Sequence, residues 1–589
     1  MYELLKGINS PADVKKLNIS ELNALKDEIR EALFNRLTKI GGHFGPNFGI
    51  VEMTIALHYV FNSPIDKFVF DVSHQSYTHK ILTGRKNGYI IDECFKEDSG
   101  YTNPNESEHD FFNVGHTSTS ISLATGLAKG RDILGGKENI IAIIGDGSLS
   151  GGEALEGLNV AGSEINSNLI IIVNDNQQSI SETHGGIYKN IELLRNTKGI
   201  ASNNMFTAIG LDYAYLENGN DIESLIEFFK KYKDIDHPIV LHINTKKGKG
   251  YKIAEENKEA WHWCMPFNRE TGKPLYSFNG ETYVSIAKNH LLEQAKNDKS
   301  VIVVTPNMPA ALELSQEDRN NLGEQFVDCG IAEEQACAMA SGIARRGAHP
   351  VVVTNATFMQ RTYDQVSHDI CINDTPVTFV LNFCNFDGLT DVTHLGIFVI
   401  SMFSNIPNLV VMAPSSKNEL IEMMDYAIYK SNHPTMILLP GDNVVERKTK
   451  LDVSNINKYE VINEGKDVAI IALGDFFSKG NELYNELLNK CNINATLINP
   501  RFASGIDKEL LDSLLMNHKM VITLEDGILE GGFGYKIANY YSDKNIIVKS
   551  YGLEKKFYDR YNPEELLKEL KMDTDSIIEY IKSNLKWLR

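Results

Sequence analysis

Two apolar runs, NIIAIIGDG at 139–147 and NLIIIVNDN at 168–176, are almost wholly aliphatic and each stop at a cluster of turn residues. A run that is apolar at every position, rather than at every second one, reads as a strand covered on both faces. Such strands belong to parallel sheets flanked by helices. HPIVLHINT at 237–245 repeats the pattern. A second region carries SVIVVTP (300–306), HPVVVTN (349–355), PVTFVLNF (376–383) and NLVVMAP (408–414). A third carries DVAIIALGD (467–475), NATLINP (494–500), MVITLED (520–526) and NIIVKSYG (545–552). Helical patterns lie between the runs, so the expectation is an α/β chain of three parallel-sheet domains, at 1–270, 280–445 and 458–589. The Gly, Pro and polar stretch at 265–280 reads as a linker, and the second region ends where the chain turns charged, at 440–455.

The 589 residues suit several domains. Lys and Arg number 58 against 78 Asp and Glu, a net charge of -20 that repels phosphate backbones and argues against nucleic-acid binding. No stretch approaches the roughly 18 consecutive apolar residues of a membrane helix, and the first residues show no apolar signal core, so a cytoplasmic chain is expected. The seven cysteines are dispersed without a CxxC pair, which fits buried thiols better than a disulfide framework or a thiolate zinc site.

The turn residues carry the chemistry. Gly145-Asp146-Gly147 follows one strand and Asn176 follows the next, thirty positions beyond Asp146. Consecutive strands of an open parallel sheet deliver such residues to one crevice at their carboxyl ends. A hard cation such as Mg²⁺ accepts a carboxylate, an amide oxygen and a backbone carbonyl, with further ligands from a diphosphate. Asp146, the Asn176 side chain and the Gln178 carbonyl form such a set. The glycines admit phosphates close to the backbone, next to Ser148, and Gly151-Gly152 opens a helix whose first amides favour anions.

This pair resembles the diphosphate and magnesium motif of thiamine-diphosphate enzymes. DVSHQSYTHKILTGR (71–85), VGHTSTSISLATGLAKGR (114–131), TKKGKGY (245–251), GIAEEQA (330–336), TFMQRTYDQVSHDI (357–370) and PRFASGID (500–507) are together similar to the 1-deoxy-D-xylulose-5-phosphate synthase family, in that family's order over essentially the whole chain. Transketolase is a more distant likeness. The resemblance implies a transketolase-like fold with pyrophosphate, pyrimidine and C-terminal domains in that order. It also implies a homodimer, thiamine diphosphate and Mg²⁺ as cofactors, bound between the first two domains, and a role in isoprenoid biosynthesis.

Residue roles follow from the same resemblance. Glu333 matches the glutamate that hydrogen-bonds the aminopyrimidine ring and promotes the imino form that removes the thiazolium proton, while Glu334 and Gln335 depart from the family's Glu-Gln-His. His43 and His74 match positions near the thiazolium and diphosphate, His116 a residue beside the cofactor, and His262 a histidine that handles protons near the reacting carbons. His79 matches the next family histidine, assigned with His394 and Asn355 to the substrate. Phe358 matches the aromatic that stacks on the pyrimidine, Arg361 a positioning residue, and Arg501 a structural link between the third and second domains.

The departures cluster where the family holds its acceptor, D-glyceraldehyde 3-phosphate. Its Asp-Arg-Ala-Gly stretch is here Asn382-Phe383-Cys384-Asn385, and its Tyr-Pro-Arg-Gly stretch is Leu439-Pro440-Gly441, so both arginines associated with the phosphate are missing. A family tyrosine is replaced by Asn355, and a family aspartate aligns with Thr390, one step from Asp391. About thirty residues separate NDN from FTAIGLDY, where the family has a much longer segment. The leading expectation is a transferase that decarboxylates pyruvate and passes the two-carbon unit to an aldehyde. The alternatives are a paralogue with an unphosphorylated acceptor or ketol transfer, and a cofactor-binding homologue without turnover.

Overall fold

Alternate residues of the two apolar runs enter different cores. Ile141 and Ile143 pack with Ile170, Ile172 and Leu241 on one face of a sheet. Ile140, Ala142 and Ile144 pack with Ile171 and Val173 on the other. The computed structural model describes residues 2–276, 280–441, 443–448 and 457–587. They divide into two units, 1–279 with 330–332, and 280–329 with 333–589.

The first unit holds a five-stranded, fully parallel sheet in the spatial order Lys67–Phe70, Ile140–Gly145, Leu169–Asp175, Pro238–Asn244, Asp212–Leu216. The register sets Gly145 beside Asn174, so the two turn clusters emerge at one edge.

The second unit holds two sheets. One is six-stranded and parallel, in the order Val410–Met412, Thr435–Leu438, Thr378–Asn382, His349–Asn355, Val301–Thr305, Phe326–Asp328. The other runs Glu460–Asn463, Thr496–Asn499, Asp467–Ala472, His518–Ile528, Ile547–Leu553, with the first strand antiparallel to its neighbour and the rest parallel. The two sheets share one apolar cluster, in which Val352, Phe379, Leu381 and Val411 meet Ala469, Ile471, Ile498 and Val521. Arg501 stands at that seam: its Nε donates to Glu419 at 2.9 Å, its Nη2 lies 3.0 Å from Glu460, and its carbonyl accepts from Ala413 N–H.

Every strand read from an apolar run is present. Those missed, such as Lys67–Phe70 and Asp212–Leu216, are short and mix polar with aromatic residues. The stretch from 265 to 276 is not a free linker: Phe267 is buried, donates its N–H to the Thr38 carbonyl and bridges Pro274. Residues 277–279, and 442 and 449–455 of the charged stretch, lie outside the described residues. All seven cysteines are free thiols, but only four are buried, the other three being half-buried. Among the described residues no helix is long and apolar enough to cross a membrane.

Candidate functional site

The NDN triplet divides its labour. Asn174 Oδ1 accepts from the Thr245 hydroxyl at 2.5 Å. Asp175 Oδ2 is held by Arg195 Nη1 at 2.6 Å and His242 Nε2 at 2.9 Å, while its Oδ1 accepts the Gln177 N–H. Only Asn176 is left with a buried side-chain oxygen, Oδ1, that meets no hydrogen-bond donor. An orphaned oxygen of this kind costs about 1–3 kcal/mol unless something else satisfies it. Its neighbour is Asp146, whose Oδ1 lies 3.5 Å from the Asn176 backbone nitrogen. Burial first, and then the Asp175 carboxylate, push Asp146 up to about 8. A hard cation offsets both effects, and a buried carboxylate beside an orphaned amide oxygen is a donor set it accepts. Gln178 follows within the same loop, bridged to Glu182.

The GDG turn fits the loop because it lacks side chains. A Cβ on Gly147 would stand 2.7 Å from Ser179, and the Gly147 carbonyl accepts from Tyr188 Oη at 2.8 Å. The turn Asp146–Ser150 leads into the helix Gly152–Ser163, with Gly151 at its N-cap. Ser148 is buried, and its carbonyl accepts from Ser118 Oγ at 2.8 Å. The Ser118 N–H donates to the fully buried Asp71, which ties the segment carrying half-buried His116 to this turn.

Three imidazoles gather in the same unit. Helix Ile19–Ile40 opens on a capping box between Asn18 and Glu21 and ends at Gly41, where a φ of +75° disfavours a side chain and a Cβ would stand 2.5 Å from the Cys264 carbonyl oxygen. Gly42–His43 then pairs antiparallel with Trp263–Cys264. This short ladder sets the His43 ring 5.6 Å from that of His262. His74 arrives from a turn in which Val72 and Ser73 both have positive φ, strained backbone for a β-branched residue. Its ring centroid lies 5.0 Å from His43 and 5.3 Å from His262. Buried Asn47 joins two of the segments, donating to the carbonyls of His43 and His74. Lys247 Nζ lies 3.0 Å from His262 Nδ1. Burial, then Lys247 and the other two rings, hold His262 well below the usual imidazole range.

In the second unit Glu333 opens the helix Glu333–Arg345 at 4% exposure, whereas Glu334 is half-buried and Gln335 exposed. Burial raises the Glu333 carboxyl and Arg361, 3.6 Å away, opposes it. Its Oε2 accepts no hydrogen bond. Phe358 and Arg361 share the turn Ala356–Thr362 that follows the strand His349–Asn355. The Phe358 ring stands edge-on to His394, 5.8 Å between centroids, and burial holds His394 down at about 4. Asn355 is the register partner of Asn382, and its buried Oδ1 is unsatisfied. Phe383 follows with a φ of +52°.

His79 departs from its expected substrate role. It is fully buried, and both ring nitrogens are taken, one by His58 Nε2 at 2.9 Å and the other by Asp110 at 3.0 Å. Arg85 completes this network through Asp110. The sequence reading also passed over Asn47, Asp71, Asp175 and Lys247 as site residues. Asp71, Asp175 and Lys247 each lie inside a motif read above, DVSHQSYTHKILTGR, NDN and TKKGKGY, and Asn47 alone lies in none.

Comparison with known proteins matches residues 5–202 to the 1-deoxy-D-xylulose-5-phosphate synthase family, 282–446 to the transketolase pyrimidine-binding domain and 457–577 to the transketolase C-terminal domain. The chain is 38% identical to the 1-deoxy-D-xylulose-5-phosphate synthase of Alkaliphilus oremlandii, over 99% of this chain and 99% of that protein. It is 36% identical to the enzyme of the same name from Caldanaerobacter subterraneus subsp. tengcongensis, over the full length of both. A solved transketolase from Campylobacter jejuni is 18% identical over 96% of this chain and 100% of that one, with a TM-score of 0.44.

Proposed function

We propose, for a chain that belongs to the 1-deoxy-D-xylulose-5-phosphate synthase family, a thiamine-diphosphate-dependent transferase that takes pyruvate, releases CO₂ and passes the remaining two-carbon unit to an aldehyde. The observation that carries this reading is the orphaned Asn176 Oδ1 beside the buried Asp146 carboxylate. Asp146, Asn176 and the Gln178 carbonyl would hold Mg²⁺. Gly145, Gly147, Ser148 and His116, with the amides opening the helix Gly152–Ser163, would receive the diphosphate. Bound thiamine diphosphate supplies an electron sink for the carbanion chemistry of decarboxylation. Glu333, whose carboxyl burial raises against the opposing Arg361, would share a proton with the aminopyrimidine ring, with Arg361 and Phe358 positioning it. His43, His74 and His262 hold and move protons at the reacting carbons. The reading carries with it a cytoplasmic homodimer and the domain division 1–270, 280–445 and 458–589.

A second reading, of an acceptor less anionic than a sugar phosphate, is favoured by Phe383, which stands at a strand end where the family has an arginine. Product analysis after incubation with thiamine diphosphate, Mg²⁺, pyruvate and a panel of aldehydes tests the function. A ketol product with stoichiometric CO₂ is expected. Neither product with any aldehyde would overturn it.

A further inference from the structure

After residues 177–185 the chain enters the helix Gly186–Asn196, and one face of that helix meets both strand-end turns. Tyr188, in its first turn, donates its hydroxyl to the Gly147 carbonyl of the GDG turn at 2.8 Å, an oxygen that also accepts from Ser150 Oγ at 3.0 Å. Arg195, in its last turn, reaches the middle residue of the NDN triplet, with Nη1 2.6 Å from Asp175 Oδ2. A spacing of i, i+7 is two helical turns and therefore one face. Ile191 and Leu194 lie between the two, buried in the cluster that holds Ile144 and Val173, the last apolar residues before the turns. From the neighbouring strand, His242 Nε2 meets the same Asp175 oxygen at 2.9 Å, and its other ring nitrogen lies 2.7 Å from the Tyr213 hydroxyl. The second Asp175 oxygen accepts the Gln177 N–H and so holds the loop that carries Asn176 and Gln178.

Resting on the reading of Asp146 and Asn176 as cation ligands, we propose that this helix is a staple for the cation site, with Tyr188 and Arg195 as positioning residues that set the spacing of the two turns. Neither supplies a ligand. The register of the two strands ends at Gly145 beside Asn174, one residue short of Asp146. From there the distance between Asp146 and Asn176 depends on what holds each turn. Mg²⁺ accepts oxygens only near 2.0–2.1 Å and in close to octahedral geometry, so a small drift between the turns lowers its affinity. One rigid element fixed to both turns limits that drift. The coupling is reciprocal: where docking of the helix favours the cation, the cation favours docking of the helix by the same factor. The short stretch between NDN and FTAIGLDY is thereby assigned to building the cation site.

The test uses the whole protein and reads binding and amide exchange rather than turnover. Thiamine diphosphate is titrated calorimetrically, with and without Mg²⁺, into the wild type, Tyr188→Phe, Arg195→Lys and the double variant. Both substitutions keep the net charge, so a change in affinity reports geometry. Each single variant should weaken Mg²⁺-dependent binding by a factor of about 3 to 10, the scale of one hydrogen bond, and the double variant by more than either. Glu192→Gln, on the exposed face of the same helix, should bind like the wild type. Amide hydrogen exchange is the second readout: adding Mg²⁺ to protein with thiamine diphosphate should slow exchange over 186–196 in the wild type, and less so in the double variant. A role confined to stability would lower the urea midpoint and leave both readouts unmoved. Wild-type affinity in the double variant, or helix exchange indifferent to Mg²⁺ in the wild type, would overturn the proposal. A wild type that binds equally well with and without Mg²⁺ would overturn the cation reading and the proposal with it, so the two failures are told apart. Should the double variant not fold, Tyr188→Phe and the wild-type exchange decide.

Discussion

The backbone N–H of Asn176 lies 3.5 Å from Asp146 Oδ1, which brings the ends of two neighbouring strands together around the buried and unsatisfied Asn176 side-chain oxygen. A cation placed there would be met by one carboxylate and one amide.

Thiamine diphosphate is therefore expected to bind tightly only when Mg²⁺ is present, because the cation would join its phosphates to Asp146 and to the otherwise unsatisfied Asn176 oxygen. Asp146→Ala should abolish tight binding, and Asn176→Ala should weaken it. Calorimetric titrations with and without Mg²⁺ check this, and equal affinity in wild type and Asp146→Ala would remove the assignment.

Glu333→Gln keeps the shape of the side chain and loses its exchangeable carboxyl proton. Cofactor binding should persist while exchange of the thiazolium C–H into D₂O slows by a factor on the order of 10² or more. Glu334, half-buried on the same helical turn, is the control, and Glu334→Gln should exchange at the wild-type rate. NMR of the bound cofactor reads both variants.

The acceptor prediction follows from Phe383 and from Gly441 after Pro440. Hydrogen bonds to a charged group contribute about 1.5–3 kcal/mol each. Two missing guanidinium groups thus correspond to a loss of roughly 10² to 10⁴ in kcat/KM toward a phosphate. D-glyceraldehyde 3-phosphate should turn over poorly relative to D-glyceraldehyde, with pyruvate still consumed. Steady-state kinetics with the two aldehydes compare them, and strong preference for the phosphate would restore the ordinary acceptor.

Arg501→Met should destabilise the second unit without touching the imidazole cluster. Removing the guanidinium leaves Glu419, which is fully buried, with less compensation, and breaking a buried pair in this way costs about 3–5 kcal/mol. The urea midpoint should fall. Adding Glu419→Gln should recover part of the loss, since the two residues share one network.

Most strands of the sheets were readable because they carry nearly unbroken apolar runs, as in Ile140–Ile144 and Leu169–Val173. The placement of Asp146 and Asn176 at strand ends and of Glu333 at a helix start was readable, because turn residues mark the first two and a run of small residues the third. Asn47 was not, because a side chain that bonds backbone carbonyls of a distant segment leaves no trace in its own neighbourhood. His79 misled for a related reason. It sits in a motif with His74, five residues away, yet the turn at Ser76–Lys80 points it into a closed network with His58 and Asp110.

The apolar cluster shared by the second and third sheets bears on how this chain can be divided. A cut between residues 448 and 457 separates the sheets in sequence, but it would lay bare Phe379 and Leu381 on one fragment and Ile471, Ile498 and Val521 on the other. Neither piece would keep a closed interior, so separately produced halves should precipitate alone and regain solubility only when made together. Evolutionary shuffling of the last 130 or so residues would face the same barrier, since a transplanted C-terminal sheet must arrive with a partner surface already shaped to receive it.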